Sequence, residues 1–240
     1  MSLVQASPSR GPSPGPGWRV VRQRGPAAEL HRSSAAMAAA PAPARTLRLL
    51  RAEAPALVLG SAQPVSDVDV EAADAAGVAV ARRRSGGGAV LVESGILWAD
   101  FLLPAGDRLW DADVGKASWW VGEVWSEALE HAGAGSVSVW RGPLRKSRWS
   151  GQVCFAGLGP GEVVLGGRKV MGVSQRRTRE AVLFQTAVLL KWEPERTLGL
   201  LRAGRAAGRG ALDELVEVAV GVGEERAAAL EAALVAALPG

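Results

Sequence analysis

The sequence predicts an α/β (α+β) domain, with a mixed, largely antiparallel sheet flanked by helices. Three observations carry that prediction. Short apolar runs bounded by glycine and proline recur along the chain, as strands do. Asp113 to Ala132 places Val121, Trp125, Ala128, Leu129 and Ala132 on one helical face. Glu162–Leu165 and Arg168–Gln175 are joined only by Gly166-Gly167, the spacing of a tight β-hairpin. A length of 240 residues suits one domain with a full core.

Residues 1–16 are rich in Pro, Ser and Gly and are expected to be disordered, leaving a folded unit over 17–240. Trp18-Arg19-Val20-Val21 predicts a first strand, and the alanine-rich Ala27 to Ala40 a helix that ends before Pro41. Thr46 to Leu50 and Ala56 to Leu59 are expected to form a strand pair interrupted around Pro55. Gly60-Ser61-Ala62-Gln63-Pro64 makes a turn, and Asp69 to Ala76 a short helix stopped by Gly77. Gly77–Val80 and Ala89–Val92 predict two strands around a glycine loop. Gly95 to Leu103 is a long apolar strand closed by Pro104. Ser136 to Trp140 is another strand, Arg141 to Gly151 is basic and irregular, and Ala181 to Leu190 is a strand beyond a turn at Arg176–Glu180. The remainder, 195–240, reads as helical, with Leu230, Leu234 and Leu238 on one packing stripe. The tryptophans of Asp113–Ala132 are expected in the core, where large aromatics dominate the energetics.

Composition excludes some functions. There is no apolar run of eighteen residues, so no membrane span is expected, and no apolar segment follows the N-terminal arginine as a secretory signal requires. Cys154 is the single cysteine, so no internal disulfide forms, and a reducing cytoplasm is expected. The basic residues are scattered and lack interleaved aromatics, which argues against nucleic acid. Only Lys116, Lys146, Lys169 and Lys191 are lysines among 28 basic residues, which gives a lysine inside a glycine motif added weight. His31 and His131 lie apart, the first in a weakly ordered segment, so neither is expected to be catalytic. No metal-ligand spacing occurs.

The chemistry concentrates in two stretches. Arg82-Arg83-Arg84-Ser85-Gly86-Gly87-Gly88-Ala89-Val90 offers backbone N–H groups unshielded by side chains, with arginines beside them, and suits a phosphate or carboxylate. Its plain counterpart is a glycine hairpin next to a solvated basic run. In the second stretch, Gly167-Arg168-Lys169-Val170-Met171-Gly172-Val173-Ser174-Gln175-Arg176, period two puts Lys169, Met171, Val173 and Gln175 on one face of a strand.

Both stretches resemble motifs of the lipoate–protein ligase and octanoyltransferase family: the Arg83-x-Ser85-Gly86-Gly87-Gly88-Ala89-Val90 loop and the lysine motif around Lys169. The resemblance spans roughly Trp18 to Trp192 and implies the biotin/lipoate ligase catalytic-domain fold. Gly60-x-x-Gln63 resembles a family segment that lines the acyl pocket. Two chemistries are implied. In the first, ranked slightly ahead, ATP with Mg2+ activates lipoate or octanoate as an acyl-adenylate that a lysine of a lipoyl-domain protein attacks. Lys169 then reaches the acyl carbonyl and phosphate, while Arg83, Ser85, Gly86, Gly87, Gly88 and Ala89, with Gly172 and Ser174, hold substrate and nucleotide. In the second, the acyl group arrives on an acyl carrier protein thioester and passes to Cys154; Val153-Cys154-Phe155-Ala156 resembles the nucleophile segment of the family's cysteine octanoyltransferases. The alternative role for Cys154 is a small buried hydrophobe. Two family positions differ: Gln152-Val153-Cys154 stands where ligases carry Asn-Asp, and Leu183–Ala187 lacks the family's histidine run. A non-catalytic lipoate-binding relative, or an enzyme needing an accessory chain, is the remaining reading.

Overall fold

A computed structural model describes residues 17–41 and 43–240. The tail at 1–16 lies outside the described residues. The chain runs β1 (Arg19–Gly25), α1 (Ala27–Ala39), β2 (Thr46–Ala52), β3 (Ala56–Leu59), α2 (Val70–Ala75), β4 (Ala79–Arg82), β5 (Val90–Val92), β6 (Ile96–Pro104) and α3 (Trp119–His131). It continues through β7 (Val137–Val139), β8 (Val163–Leu165), β9 (Arg168–Arg177), β10 (Ala181–Leu189), α4 (Pro194–Gly199), α5 (Arg202–Ala207), α6 (Arg209–Val218) and α7 (Ala227–Ala236).

Seven strands form one sheet in the order β1-β2-β6-β10-β9-β8-β7. Only β1 and β2 are parallel; every other pair in it is antiparallel. The mixed, largely antiparallel sheet expected from the sequence is therefore present. β6 explains the layering. Its odd residues Leu97, Ala99, Phe101 and Leu103 join the core with Val121, Trp125 and Leu129 of α3 and Leu230 and Leu234 of α7. Its even residues face the other way, where Trp98 packs with Leu30 of α1 and Leu102 with Ala38. Both faces are covered, so apolar residues stand on both faces of the strand instead of alternating, with Asp100 its one charged residue.

The expected strand pair at 46–59 is not formed. β2 sits in the large sheet, whereas β3 is the centre of a separate three-stranded sheet, β4-β3-β5. Pro55 and its neighbours form the exit from one sheet and the entry to the other. The helix expected from Asp113 begins only at Trp119. Asp111 accepts from Asp113 N–H at 2.8 Å, and Asp113 from Gly115 N–H at 2.8 Å. These local side-chain turns compete with the helical ladder. The helical tail is present as four short helices, and Leu230, Leu234 and Leu238 are all buried.

Candidate active site

The small sheet carries the glycine loop. β4 pairs with β3 in parallel and β5 pairs with the opposite edge of β3. The chain must therefore cross the C-terminal end of β3 between Arg82 and Val90, so the loop is a crossing and not a hairpin. It passes over Gly60, where a Cβ would run into the Gly87 carbonyl. Gly87 itself takes φ +96°, in the range that favours glycine.

Arg83 is buried beneath the loop. It donates to the Val58 carbonyl at 3.1 Å and to the Gly86 and Gly88 carbonyls at 2.7 and 2.8 Å. Both of these loop carbonyls are thereby tied down to the guanidinium. Among the described residues nothing takes the N–H groups of Gly86, Gly87 or Gly88. Ser174 on β9 donates to Ser85 Oγ at 2.9 Å. Ala89 N–H donates to the Gln152 carbonyl at 2.8 Å, and Cys154 N–H to the Ala89 carbonyl at 3.0 Å. The loop is thus stitched to the segment that carries the cysteine.

Lys169 stands just past the Gly166-Gly167 turn, whose residues take φ +57° and +80° as a tight hairpin requires. Its register differs from the simple alternation. Met171 faces Val163 but Lys169 faces Val164, an irregularity of one residue. Met171 consequently packs in the main core, while a Cβ on Gly172 would point at Lys169 Cε, 3.1 Å away. Lys169 shares the site face with Gly172 and Ser174, not with Met171 as period two predicts. Its Nζ donates to the Cys154 carbonyl at 3.1 Å and the Gly157 carbonyl at 2.9 Å, and pairs with Glu162 Oε1 at 2.8 Å. Glu162 also accepts from Gly159 N–H at 2.7 Å and Val173 N–H at 3.3 Å. Burial pushes the Glu162 carboxyl upward, and the Lys169 ammonium pulls against it.

Two cavities meet here. One is a narrow slot of about 50 Å³ with walls of Val58, Val90, Val92, Ile96, Trp98 and Phe155. The other is an open cleft of about 840 Å³ bordered by Gly86, Gly87, Gly88, Lys169 and Glu162. Half-buried Cys154 borders both, with Val173 and Ser174. Its Sγ lies 3.8 Å from where a Gly87 Cβ would be. Gln63, expected beside an acyl pocket, borders the cleft and not the slot, and donates to the Gln152 carbonyl at 3.2 Å.

A buried polar network underlies the slot. Arg48 reaches Gln23, Ser33 and Ser34, and Ser34 donates to Asp100. Trp98 Nε1 donates to Asp100 at 2.8 Å, and Gln185 Nε2 lies 3.3 Å from the same carboxylate. Burial raises Asp100 and lowers Arg48. His31 is not in a weakly ordered segment, as expected, but on α1, where it borders the slot. Its ring lies 4.4 Å from Trp98, and Gln185 Nε2 is 3.1 Å from its Nδ1. Burial, then the charges of Arg83 and Arg48, bring its pKa down to about 3.

The structure brings Arg83, Gly86, Gly87, Gly88, Cys154, Lys169, Gly172 and Ser174 to the walls of the slot and the cleft, whereas Ser85 lies behind them on Ser174 and Ala89 is buried in an apolar cluster and borders neither. Sequence reasoning missed Glu162, His31 and Gln185. The signal for Glu162 was present: it immediately precedes β8, the strand that hairpins onto the lysine strand. Among the described residues no three His, Cys, Asp or Glu side chains gather as a metal site.

Comparison with known proteins fits this geometry. Residues 26–220 match the lipoyl protein ligase A/B catalytic domain. A putative lipoate protein ligase from T. acidophilum, solved with bound lipoic acid, superposes with a TM-score of 0.66 at 18% identity, over 89% of this chain and 82% of that one. A lipoate-protein ligase A bound with ATP gives 0.66 at 18% identity over the same shares. A bi-partite lipoate protein ligase from Thermoplasma acidophilum, described with its E2 lipoyl domain, gives 0.62 at 18% identity, over 90% and 82%. At such identity the likeness concerns the fold. No curated protein matches the sequence. With the match running from the residue before α1 to just past α6, well over half of the chain, the chain belongs to the lipoyl protein ligase A/B catalytic domain family.

Proposed function

We propose that this enzyme attaches an octanoyl or lipoyl group to a lysine of a lipoyl-domain protein, and that the group passes through a thioester on Cys154. The observation that carries this is the position of Cys154 where the apolar slot meets the open cleft, with its carbonyl accepting from Lys169. An acyl chain in the slot would leave its carbonyl at the sulfur. The Cys154 thiol gives up its proton as its sulfur attacks that carbonyl, the bond to the carrier sulfur breaks, and the same proton ends on the carrier, which leaves as a thiol. The acceptor lysine amine, arriving through the cleft, then forms a C–N bond as the C–S bond to Cys154 breaks and the thiol is restored. The N–H groups of Gly86, Gly87 and Gly88 are available to stabilise the oxyanion of each step. Lys169, paired with Glu162 and donating to the Cys154 and Gly157 carbonyls, anchors the segment that carries the thiol.

The ATP-dependent route is the second reading, and a specific observation favours it as well. The same three N–H groups border a cleft of about 840 Å³, which suits a phosphate chain. When bound, Mg-ATP would supply activation of a free acid as its adenylate. The carboxylates nearest the cleft are already engaged, Asp67 with Gln152 at 3.1 Å and Glu162 with Lys169. The acceptor in either route is a lipoyl-domain protein, and an accessory chain would serve the ligase route.

The test is intact-mass spectrometry of the protein after exposure to octanoyl carrier protein without acceptor. The thioester route predicts a gain of one octanoyl group that is lost in Cys154→Ser. Unlabelled wild-type protein, with pyrophosphate released from ATP and octanoate equally by wild type and Cys154→Ser, would replace it by the ligase route.

A further inference from the structure

We infer that Ile96, backed by Val92 and Trp98, is the stop that sets the length of acyl chain the slot accepts; this rests on the slot being the acyl site. A second cavity of about 550 Å³ lies directly behind the slot. Val92, Ile96 and Trp98 border both. A third, of about 280 Å³, touches the slot at Val90, Ile96 and Phe155. Ile96 is the one described residue that borders all three. It also packs against two separate apolar clusters, one around Trp98 and one around Phe155 and Leu189.

The three partition residues differ in freedom. Trp98 is 4% exposed and its indole N–H is fixed on Asp100 at 2.8 Å. Val92 is buried at the end of β5. Ile96 is half-buried at the first residue of β6, and it is the partition residue shared by both neighbouring cavities. Shortening it joins a slot of about 50 Å³ to a space of about 550 Å³. The inner wall of that space is apolar, with Leu50, Leu97 and Leu190, and its outer rim carries Arg51 and Glu231. A longer hydrocarbon tail therefore gains apolar contact before it meets the charged rim.

The experiment is isothermal titration calorimetry of the full chain with hexanoate, octanoate, decanoate and dodecanoate. Each methylene buried tightens binding about fourfold. For the wild type, affinity should climb with length to a limit and then stop. Ile96→Ala should move that limit to longer acids, so that dodecanoate gains about fourfold per added methylene beyond the wild-type limit. Ile96→Phe should move it to shorter acids, a shift that loss of folding cannot imitate, and near-UV circular dichroism checks each variant. An unchanged limit in folded variants, with octanoate still bound by the wild type, overturns the partition but leaves the acyl site standing. Failure of the wild type to bind any of the acids, together with no acyl mass gained from octanoyl carrier protein, overturns both.

Discussion

His31 gives the most quantitative prediction. Its ordinary pKa of 6.5 falls to about 3 in the fold, first through burial and then through Arg83 and Arg48. Between those values the unfolded chain binds a proton that the folded protein refuses. The contribution is therefore complete above about pH 6.5 and is lost as pH falls toward 3. The slope is about 1.4 kcal/mol per pH unit. From pH 6.5 to 5 the wild type should lose about 1.6 kcal/mol through His31 alone, or about 3–6 °C in Tm for a domain of this size. The perturbation is His31→Asn, whose side-chain oxygen accepts from Gln185 as Nδ1 does now but cannot ionise. The variant forfeits stacking on Trp98 at every pH, so the slope and not the offset carries the test. Asp100 and Glu162, raised by burial, work in the opposite sense, because the folded protein keeps protons that the unfolded chain has released. They remain in both proteins and cancel in the comparison. Urea unfolding at pH 7.5, 6.5, 5.75 and 5.0 should give curves that diverge above pH 5, with the wild type falling more steeply. Parallel curves would refute the claim that His31 is held neutral against the slot.

Glu162→Gln removes the anion beside a buried ammonium and should cost about 3–5 kcal/mol, seen calorimetrically as roughly 6–20 °C in Tm; a loss below about 1 kcal/mol would mean that the pair does not hold Lys169 in solution. Gly60→Ala should destabilise by roughly 1–3 kcal/mol and displace the glycine loop, with activity falling further than stability; equal activity at equal folded fraction would show that the loop tolerates a Cβ at Gly60.

The Gly166-Gly167 turn and the flanking apolar runs made the Lys169 hairpin legible, because a two-residue glycine loop leaves few other geometries. The irregularity beside it was not legible. Val170 and Met171 are both apolar, so nothing in the pattern marks where the alternation slips by one residue. The glycine loop was found by wording, but its crossing over Gly60 depends on β4 and β5 taking opposite edges of β3, and strand runs do not name their partners. Thr46–Leu50 and Ala56–Leu59 were mispaired for the same reason. The Glu162–Lys169 pair and the His31–Gln185 contact join residues whose relation exists only after the sheet and α1 are packed. Their residue types were visible; their burial, which gives them their chemistry, was not. No helix among the described residues is long and apolar enough to cross a membrane, as the hydropathy of the sequence indicates.

The central claim is acyl transfer to a lipoyl-domain lysine through Cys154. Its most direct test is the intact mass of a lipoyl domain incubated with this protein and octanoyl carrier protein, without ATP, beside the same reaction with Cys154→Ser. The account predicts one octanoyl group on the domain with the wild type and none with the variant. Octanoylation at the wild-type rate by Cys154→Ser would contradict it.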